Sequence, residues 1–413
     1  MIVPSIDIIG GKAVQLRQGK EFVLESERDP VDLAREFNRY GEVAVIDLDS
    51  AMGKGNNREL IERICKVADA RVGGGIRDVE TGRALLRAGA KSLIVGTKAT
   101  PEFLSQFPAD RIIVALDHVN EEVVDKGWTN STGESIWERA SRLEPYCSGF
   151  LVTFVEAEGG LGGLPASAAA GLLEKLKKHV TVAGGIASTS EVSDISALGA
   201  DVQVGMALYK GLVDPVEAVV QSVNFDTNGT GVVPTVVQDM NGQVLMLAYS
   251  SPESLRRALK EGKGIYYSRS RQEIWEKGLT SGATQQLVSC RVDCDRDSLL
   301  FRIEQTEGAC HRGSYSCFGQ ATSARQFSVG QLFSILQQRK QEMPEGSYSV
   351  KLFKDRRKLL KKLMEEAHEV CTFESTENLR WEIADLIYFA SLLAVDEGVS
   401  WADIECELGG RAK

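Results

Sequence analysis

No apolar run in the 413-residue chain approaches the roughly 20 residues needed to cross a bilayer, which excludes an ordinary membrane-spanning helix. Positive charge is also short. Lys and Arg number 48 against 58 Asp and Glu, a net charge of −10, which argues against a nucleic-acid partner. Anionic substrates would therefore have to be met by backbone N–H groups, metal ions or small basic clusters. Cysteine is scarce: eight residues in a chain of this length cannot form a disulfide scaffold. The opening residues, MIVPSIDIIGGK, have no basic leader or cleavage site and read as a buried strand. These absences together lead us to expect a cytoplasmic protein acting on small molecules, with neither membrane nor nucleic acid as partner.

The length exceeds what one core accommodates and suggests roughly two to four domains. The pattern divides into three: residues 1–223, 232–319 and 327–413. In the first, apolar strands expected over 2–7, 43–49, 70–72, 92–95, 111–117, 149–155, 180–183 and 201–204 alternate with helical stretches. Strands that are apolar on both faces, separated by helices, indicate a parallel sheet covered on both sides, and eight of them suggest a (β/α)8 barrel. An internal repeat supports this. Asp7 ends an apolar run and Asp117 ends another 110 residues later, while Gly74-Gly75-Ile76 recurs at the same interval as Gly184-Gly185-Ile186. The stretch 224–231, NFDTNGTG, reads as a turn-rich linker. Residues 232–319 read as a small α+β domain rich in short strands, with a hairpin signal at Asn241-Gly242. After a second polar stretch, 320–326, apolar residues at helical spacing run to the end: Leu359, Leu360, Leu363, Met364, Ala367, Val370, Ile383, Leu386, Ile387 and Ala390. That spacing predicts an all-α helical bundle.

The densest chemistry lies in VDCDRD and EGACHRGSYSCFG. On a strand, Asp293, Asp295 and Asp297 would share one face, where three carboxylates suit Mg²⁺. Cys294, Cys310 and Cys317 could give zinc three thiolates and an open fourth position. Zinc would bring a water's pKa towards about 7, and His311 stands beside Cys310 to move a proton. The cysteines could equally be small buried hydrophobes, and the aspartates a solvated edge strand. In the last segment, KKLMEEAHEV and ENLRWEIADLIYF place Glu366 with Glu369, and Glu382 with Asp385, three residues apart on helices. Packed together, four carboxylates would call for divalent cations such as Mg²⁺, which could clamp a polyphosphate and activate water. Acidic residues at helical spacing can also be ordinary solvated faces, as can the basic stretch 351–362.

Three family resemblances follow these motifs. Residues 232–319 resemble phosphoribosyl-AMP cyclohydrolase through YYSRSRQEIWEKGLTSG, DCDRD, ACH and SCFG. The resemblance implies zinc on Cys294, Cys310 and Cys317, with Cys294 from the other subunit of a dimer, and Mg²⁺ on Asp293, Asp295 and Asp297. It implies hydrolytic opening of the adenine ring between N1 and C6. Arg269, Arg271, Trp275, Lys277, Ser281 and Gly282 in its first motif are candidate substrate contacts. The helical segment resembles phosphoribosyl-ATP pyrophosphohydrolase through GSYSVKLF, EEAHE and EIADLIYF. This implies a helical bundle, usually dimeric, with Mg²⁺ on Glu366, Glu369, Glu382 and Asp385. Both resemblances suggest a homodimer formed through these two domains, acting on phosphoribosyl nucleotides.

The first segment resembles the phosphoribosylformimino-5-aminoimidazole carboxamide ribotide isomerases through PSIDIIGGKAVQLRQG, VIDLDSAMGKG, VGGGIRD, VALD, KGW, AGGI and VGMALYKG. Asp7 and Asp117 would then be acid and base in an aldose–ketose rearrangement. Gly75 with Gly96 and Thr97, and Gly184 and Gly185 with Gly205, would offer backbone N–H groups to two phosphates. The chain departs from the pattern after the sixth strand. The family's Asp-x-x-Arg-Asp-Gly-Thr loop here reads Phe154-Val155-Glu156-Ala157-Glu158-Gly159-Gly160, and Gln15 stands where arginine is common. Two readings follow: a trifunctional enzyme of histidine biosynthesis, or a bifunctional hydrolase carrying a non-catalytic barrel.

Overall fold

The computed structural model describes residues 1–125, 127–227, 229–319 and 328–411. Lys126 of the KGW motif, the polar stretch 320–326 and the expected start of the last domain at 327 lie outside the described residues. The chain forms two compact units, Met1–Phe318 and Gly319–Gly409.

Eight parallel strands form a closed barrel at the start of the first unit. They are β1 (Ile2–Ile9), β2 (Val43–Asp47), β3 (Ala70–Gly73), β4 (Ser92–Val95), β5 (Ile112–Val119), β6 (Gly149–Phe154), β7 (His179–Ala183) and β8 (Asp201–Val204). Each pairs with the next, β8 pairs with β1, and no edge is left open. The strands are buried on both faces, as their unbroken Val/Ile/Leu content anticipated. β2 stops two residues before the expected end. Asp47 accepts from Ser50 N at 3.0 Å and caps a short helix, Leu48–Met52, that diverts the chain.

The repeat extends to the backbone. Gly74 and Gly184 take φ of 93° and 98°, and Gly75 and Gly185 take 68° and 80°. A Cβ on Gly74 would lie 2.3 Å from Asp47 O, and one on Gly184 2.5 Å from Phe154 O. Only glycine lets these loops close over the strand ends. Each half also carries a β-hairpin after its first strand: Lys12–Arg17 with Glu21–Glu25 follows β1, and Glu122–Asp125 with Asn130–Ser135 follows β5.

The rest of the first unit is a four-stranded sheet with a helix and a small hairpin. Its strands are β9 (Val233–Asp239), β10 (Val244–Ser250), β13 (Gln285–Val292) and β14 (Leu299–Gln305), in the order β10-β9-β14-β13. The two-stranded hairpin is β11 (Ile265–Ser268) with β12 (Glu273–Glu276). Gly242, at φ 83°, closes the expected turn between β9 and β10. This sheet docks on the closed end of the barrel, where the barrel strands begin. Arg291 Nη2 meets Asp69 Oδ2 at 2.7 Å, Cys290 N donates to Arg39 O at 3.1 Å, and Asn38 Nδ2 donates to Val288 O at 3.3 Å. The barrel thereby covers part of edge strand β13.

The second unit is helical: Val329–Glu342, Tyr348–Phe353, Arg356–Cys371, Thr376–Asp396 and Trp401–Arg411. Phe333, Leu336, Leu352, Leu359, Phe389, Leu392 and Val395 form its core. Not all of the expected apolar stripe is buried. Leu360, Met364, Ile383 and Ile387 stay exposed within one chain, Met364 at 75%, together with Trp381 at 61%. No described helix is long and apolar enough to cross a membrane.

Candidate active sites

The barrel mouth opens into a cavity of about 770 Å³ at the C-terminal ends of the strands. Asp7 and Asp117, equivalent in the two halves, both line it, and so does Glu158. Ser5 Oγ donates to Asp7 Oδ1 at 2.9 Å, and Trp128 Nε1 donates to Asp117 Oδ2 at 2.8 Å. Burial pushes the Asp7 carboxyl up to about 6, against the Ser5 hydrogen bond. Burial also raises Asp117, against hydrogen bonds from Trp128 and Thr153. Burial, then the charges of Asp7 and Asp117, push Glu158 up to about 7. Three acids thus share one cavity with their carboxyls all raised above the ordinary range, so that one can carry a proton while another accepts one.

The expected phosphate groups Gly75, Gly96, Thr97, Gly184, Gly185 and Gly205 line the same cavity. Of the lining cations, Arg77 is tied to Ser50 O and Ala51 O, and Arg139 to Glu134. Gln15 is buried against Gly205, and its Nε2 has no hydrogen-bond partner among the described residues. Sequence reasoning noticed Glu158 and Gln15 only as departures and passed over Trp128 and Ser5. The usable signal for Glu158 was that it keeps an acid where the family loop has its second aspartate.

Acids raised in this way stabilise the fold below their ordinary range, and that contribution is lost as pH rises through their folded values. The barrel should therefore lose stability between about pH 4 and pH 7, where Asp7 and Glu158 titrate. Glu158→Gln should flatten the fall and gain on the order of 1–2 kcal/mol at pH 8, reduced because the cavity admits water. Calorimetry from pH 4 to 8, with the barrel transition assigned by hydrogen exchange, would show it. An equal fall in the variant would mean that Glu158 is not buried as a neutral acid.

The second cavity, of about 820 Å³, lies in the cyclohydrolase-like sheet. Arg269, Arg271, Trp275, Lys277, His311 and Cys317 line it, whereas Ser281 and Gly282 lie outside it on an exposed turn. Arg269 stacks its guanidinium 3.6 Å from the centre of the Tyr249 ring, a residue that no motif had singled out. The thiols of Cys310 and Cys317 face each other closely enough to shift one another's titration. The loop that carries them is fixed by Cys310 N to Ser314 O at 3.0 Å and Cys317 N to Leu245 O at 2.7 Å. The Arg312 backbone N–H, the Ser314 hydroxyl and the Cys317 thiol hold the Cys310 thiol below its usual range, while burial, then the Cys310 charge, raise Cys317. Cys294 is exposed and forms no three-ligand group with that pair among the described residues.

The aspartates are brought together, but not by a strand. β13 ends at Val292, and residues 293–298 form the turn into β14. Asp293 Oδ1 accepts from Asp297 N and Ser298 N, both at 3.0 Å, and this capture of amides four and five residues on reverses the chain before an extended strand can form. Asp293, Asp295 and Asp297 each still place a carboxylate oxygen within 4.8 Å of the others.

In the helical unit, Glu366, Glu382 and Asp385 gather within the same 4.8 Å limit. Glu366 is 5% exposed and takes a hydrogen bond from Lys362 Nζ at 3.4 Å, while Asn378 Nδ2 donates to Glu382 at 2.6 Å. Glu369, expected as a fourth ligand, points to solvent and lies outside this group. Its helix turns Glu366 inward, and a residue three positions on is rotated by most of a turn but not all of it.

Comparison with known proteins gives three successive family matches. The Histidine biosynthesis protein model covers residues 1–214, Phosphoribosyl-AMP cyclohydrolase residues 246–319, and Phosphoribosyl-ATP pyrophosphohydrolase residues 329–412. The Histidine biosynthesis bifunctional protein HisIE of Thermotoga maritima is 45% identical over 193 residues, covering 44% of this chain and 98% of that protein. The Histidine biosynthesis trifunctional protein of Neurospora crassa is 42% identical over 197 residues, 48% of this chain but 22% of that protein. The Histidine biosynthesis bifunctional protein his7 of Schizosaccharomyces pombe is 46% identical over 179 residues, covering 43% of this chain and 42% of that protein. The chain thus spans less than half the length of the two fungal relatives. It belongs to the histidine biosynthesis protein family, with a phosphoribosyl-AMP cyclohydrolase module and a phosphoribosyl-ATP pyrophosphohydrolase module following the family's barrel in one polypeptide.

Proposed function

We propose that the chain carries out three successive steps of histidine biosynthesis. The helical unit cleaves phosphoribosyl-ATP to phosphoribosyl-AMP and pyrophosphate. The sheet domain then hydrolyses the N1–C6 bond of the adenine ring, and the barrel isomerises the resulting aminoaldose ribotide to the ketose. The observation that carries the third step is the shared cavity of Asp7, Asp117 and Glu158, whose raised acids suit proton transfer at neutral pH.

The donor sets suit the expected metals. Two paired sulfurs on one loop, one of them favouring thiolate, would hold zinc together with Cys294 from a second copy. Zinc so bound supplies an activated water at neutral pH. Arg269, Arg271 and Lys277 would orient the phosphate and the base, and His311 would hand a proton to the departing ring nitrogen. The oxygen-only groups Asp293–Asp295–Asp297 and Glu366–Glu382–Asp385 would suit Mg²⁺. The exposed Met364, Trp381, Ile383 and Ile387 favour a second copy of the chain against the helical unit.

Supplying phosphoribosyl-ATP with Mg²⁺ and Zn²⁺ to the full-length protein should yield the ketose ribotide. Chromatography before mass spectrometry is needed, because the aldose and ketose have equal mass. A product that stops at the aldose, under conditions where both hydrolyses proceed, would leave the alternative: a bifunctional hydrolase with a structural barrel. The loop at Glu156-Ala157-Glu158, without arginine, is the observation favouring that alternative.

A further inference from the structure

The turn 293–298, which carries Cys294 and the three aspartates, is held from two sides. Its own sheet holds it through Asp293, which caps the amides of Asp297 and Ser298 at 3.0 Å. The barrel holds it at the tip. Asn224 N donates to Arg296 O at 2.7 Å, and Arg296 Nη1 donates to Ser222 O at 3.4 Å. Ser222 ends the last barrel helix, Pro215–Ser222, and Asn224 begins the linker directly after it, so both contacts come from where that helix leaves the closed end of the barrel. Arg296 sits at φ 65°, a conformation that non-glycine residues keep only when their surroundings hold them there.

Other contacts brace the same junction. Arg256 grips Glu217 of that barrel helix through Nε at 2.5 Å and Nη2 at 3.0 Å. Arg291, at the end of β13 that leads into the turn, meets Asp69 at 2.7 Å. Asn38 Oδ1 joins them, accepting from Asp69 N at 3.0 Å and Arg291 Nη2 at 3.3 Å. A solvent-exposed turn with few apolar contacts opens locally at little cost unless something rigid holds it. Here the rigid body is a closed barrel.

We infer that the closed end of the barrel is a positioning platform for the 293–298 turn of the cyclohydrolase module, whatever chemistry its mouth performs. Asn224, Ser222 and Arg296 are the positioning residues, and the Glu217–Arg256 and Asp69–Arg291 pairs fix the two bodies around them. The barrel thus contributes to ring opening from the end opposite its own cavity. The inference rests on the cyclohydrolase reading only through the activity measurement below.

Asn224→Pro in the full-length protein removes the N–H that Arg296 O accepts. Val223 already sits at φ −89° and ψ 133°, which a following proline requires. Asn224→Ala keeps the N–H. Hydrogen exchange at Asp297 and Ser298 should quicken by roughly 10-fold or more in the proline variant and stay unchanged in the alanine variant. Ring opening should lose roughly 10-fold or more in kcat with little change in KM, and pyrophosphate release should be unaffected. Glu217→Arg should act in the same direction, and adding Arg256→Glu should restore both readouts, so the test stands even if the proline variant does not fold. Unchanged exchange at 297–298 in folded Asn224→Pro, or in Glu217→Arg once the junction is seen to open, would overturn the platform. A wild-type protein that shows the exchange difference but opens no ring would instead sink the cyclohydrolase reading and leave the platform standing.

Discussion

Cys310→Ser should abolish ring opening, by more than roughly 100-fold, and remove bound zinc, while pyrophosphate release continues at the parental rate. The loss of even an outer-shell partner costs a metal site roughly 10–100-fold, so removing a ligand should cost more. Cys310 is the thiol held below its usual range, by the Arg312 N–H, the Ser314 hydroxyl and the Cys317 thiol, and serine has no comparable anion to offer. The reaction that continues belongs to a separate compact unit, Gly319–Gly409, so the same sample contains its own control. Zinc content by atomic emission and the two product assays decide it. A variant that keeps zinc and ring opening would remove the cysteine pair from the site. Loss of both reactions together would indicate misfolding.

Glu366→Gln should remove pyrophosphate release by roughly 100-fold or more, with a smaller loss for Glu369→Gln. Glu366 is the buried member of the three-carboxylate group, and Glu369 faces water. A buried carboxylate gathered with Glu382 and Asp385 is costly without a cation, so removing its charge removes both the reason for the cation and one of its ligands. The helical circular-dichroism signal should be unchanged, because glutamine fills the same space and is a comparable helix former. Raising Mg²⁺ should recover part of the Glu369→Gln activity and little of the Glu366→Gln activity. Equal losses in the two variants would mean that the fourth carboxylate joins the group when substrate and cation arrive.

The barrel was legible in the sequence because its evidence is redundant. Eight apolar strands, a repeat and paired glycines all point to one topology, and Gly74 and Gly184 have no alternative residue that fits. The aspartate turn was misread for a definable reason. Period-two spacing at Asp293, Asp295 and Asp297 is shared by a strand and by a turn in which an aspartate side chain captures amides two to five residues ahead, and only the Asp293 hydrogen bonds distinguish them. The helical carboxylates show a different limit. Spacing by three places two residues on neighbouring parts of a helix surface, and the packing partner decides which of them turns inward. The role of Glu158 was hidden because its environment, more than its identity, makes it a third acid. The barrel's hold on the turn at Arg296 could not be seen at all, since it is made by main-chain groups of Ser222 and Asn224 that any residue but proline would supply at 224.

The barrel's mouth and its docking face lie at opposite ends of one rigid cylinder. Under the three-step proposal, the product of the sheet domain would have to reach Asp7 and Asp117 at the end of the barrel away from that docking face. Joining the two bodies secures something other than delivery. The ribosome releases them in a fixed one-to-one ratio, so neither can be overproduced relative to the other, and a truncation that removes the barrel also removes a support of its neighbour.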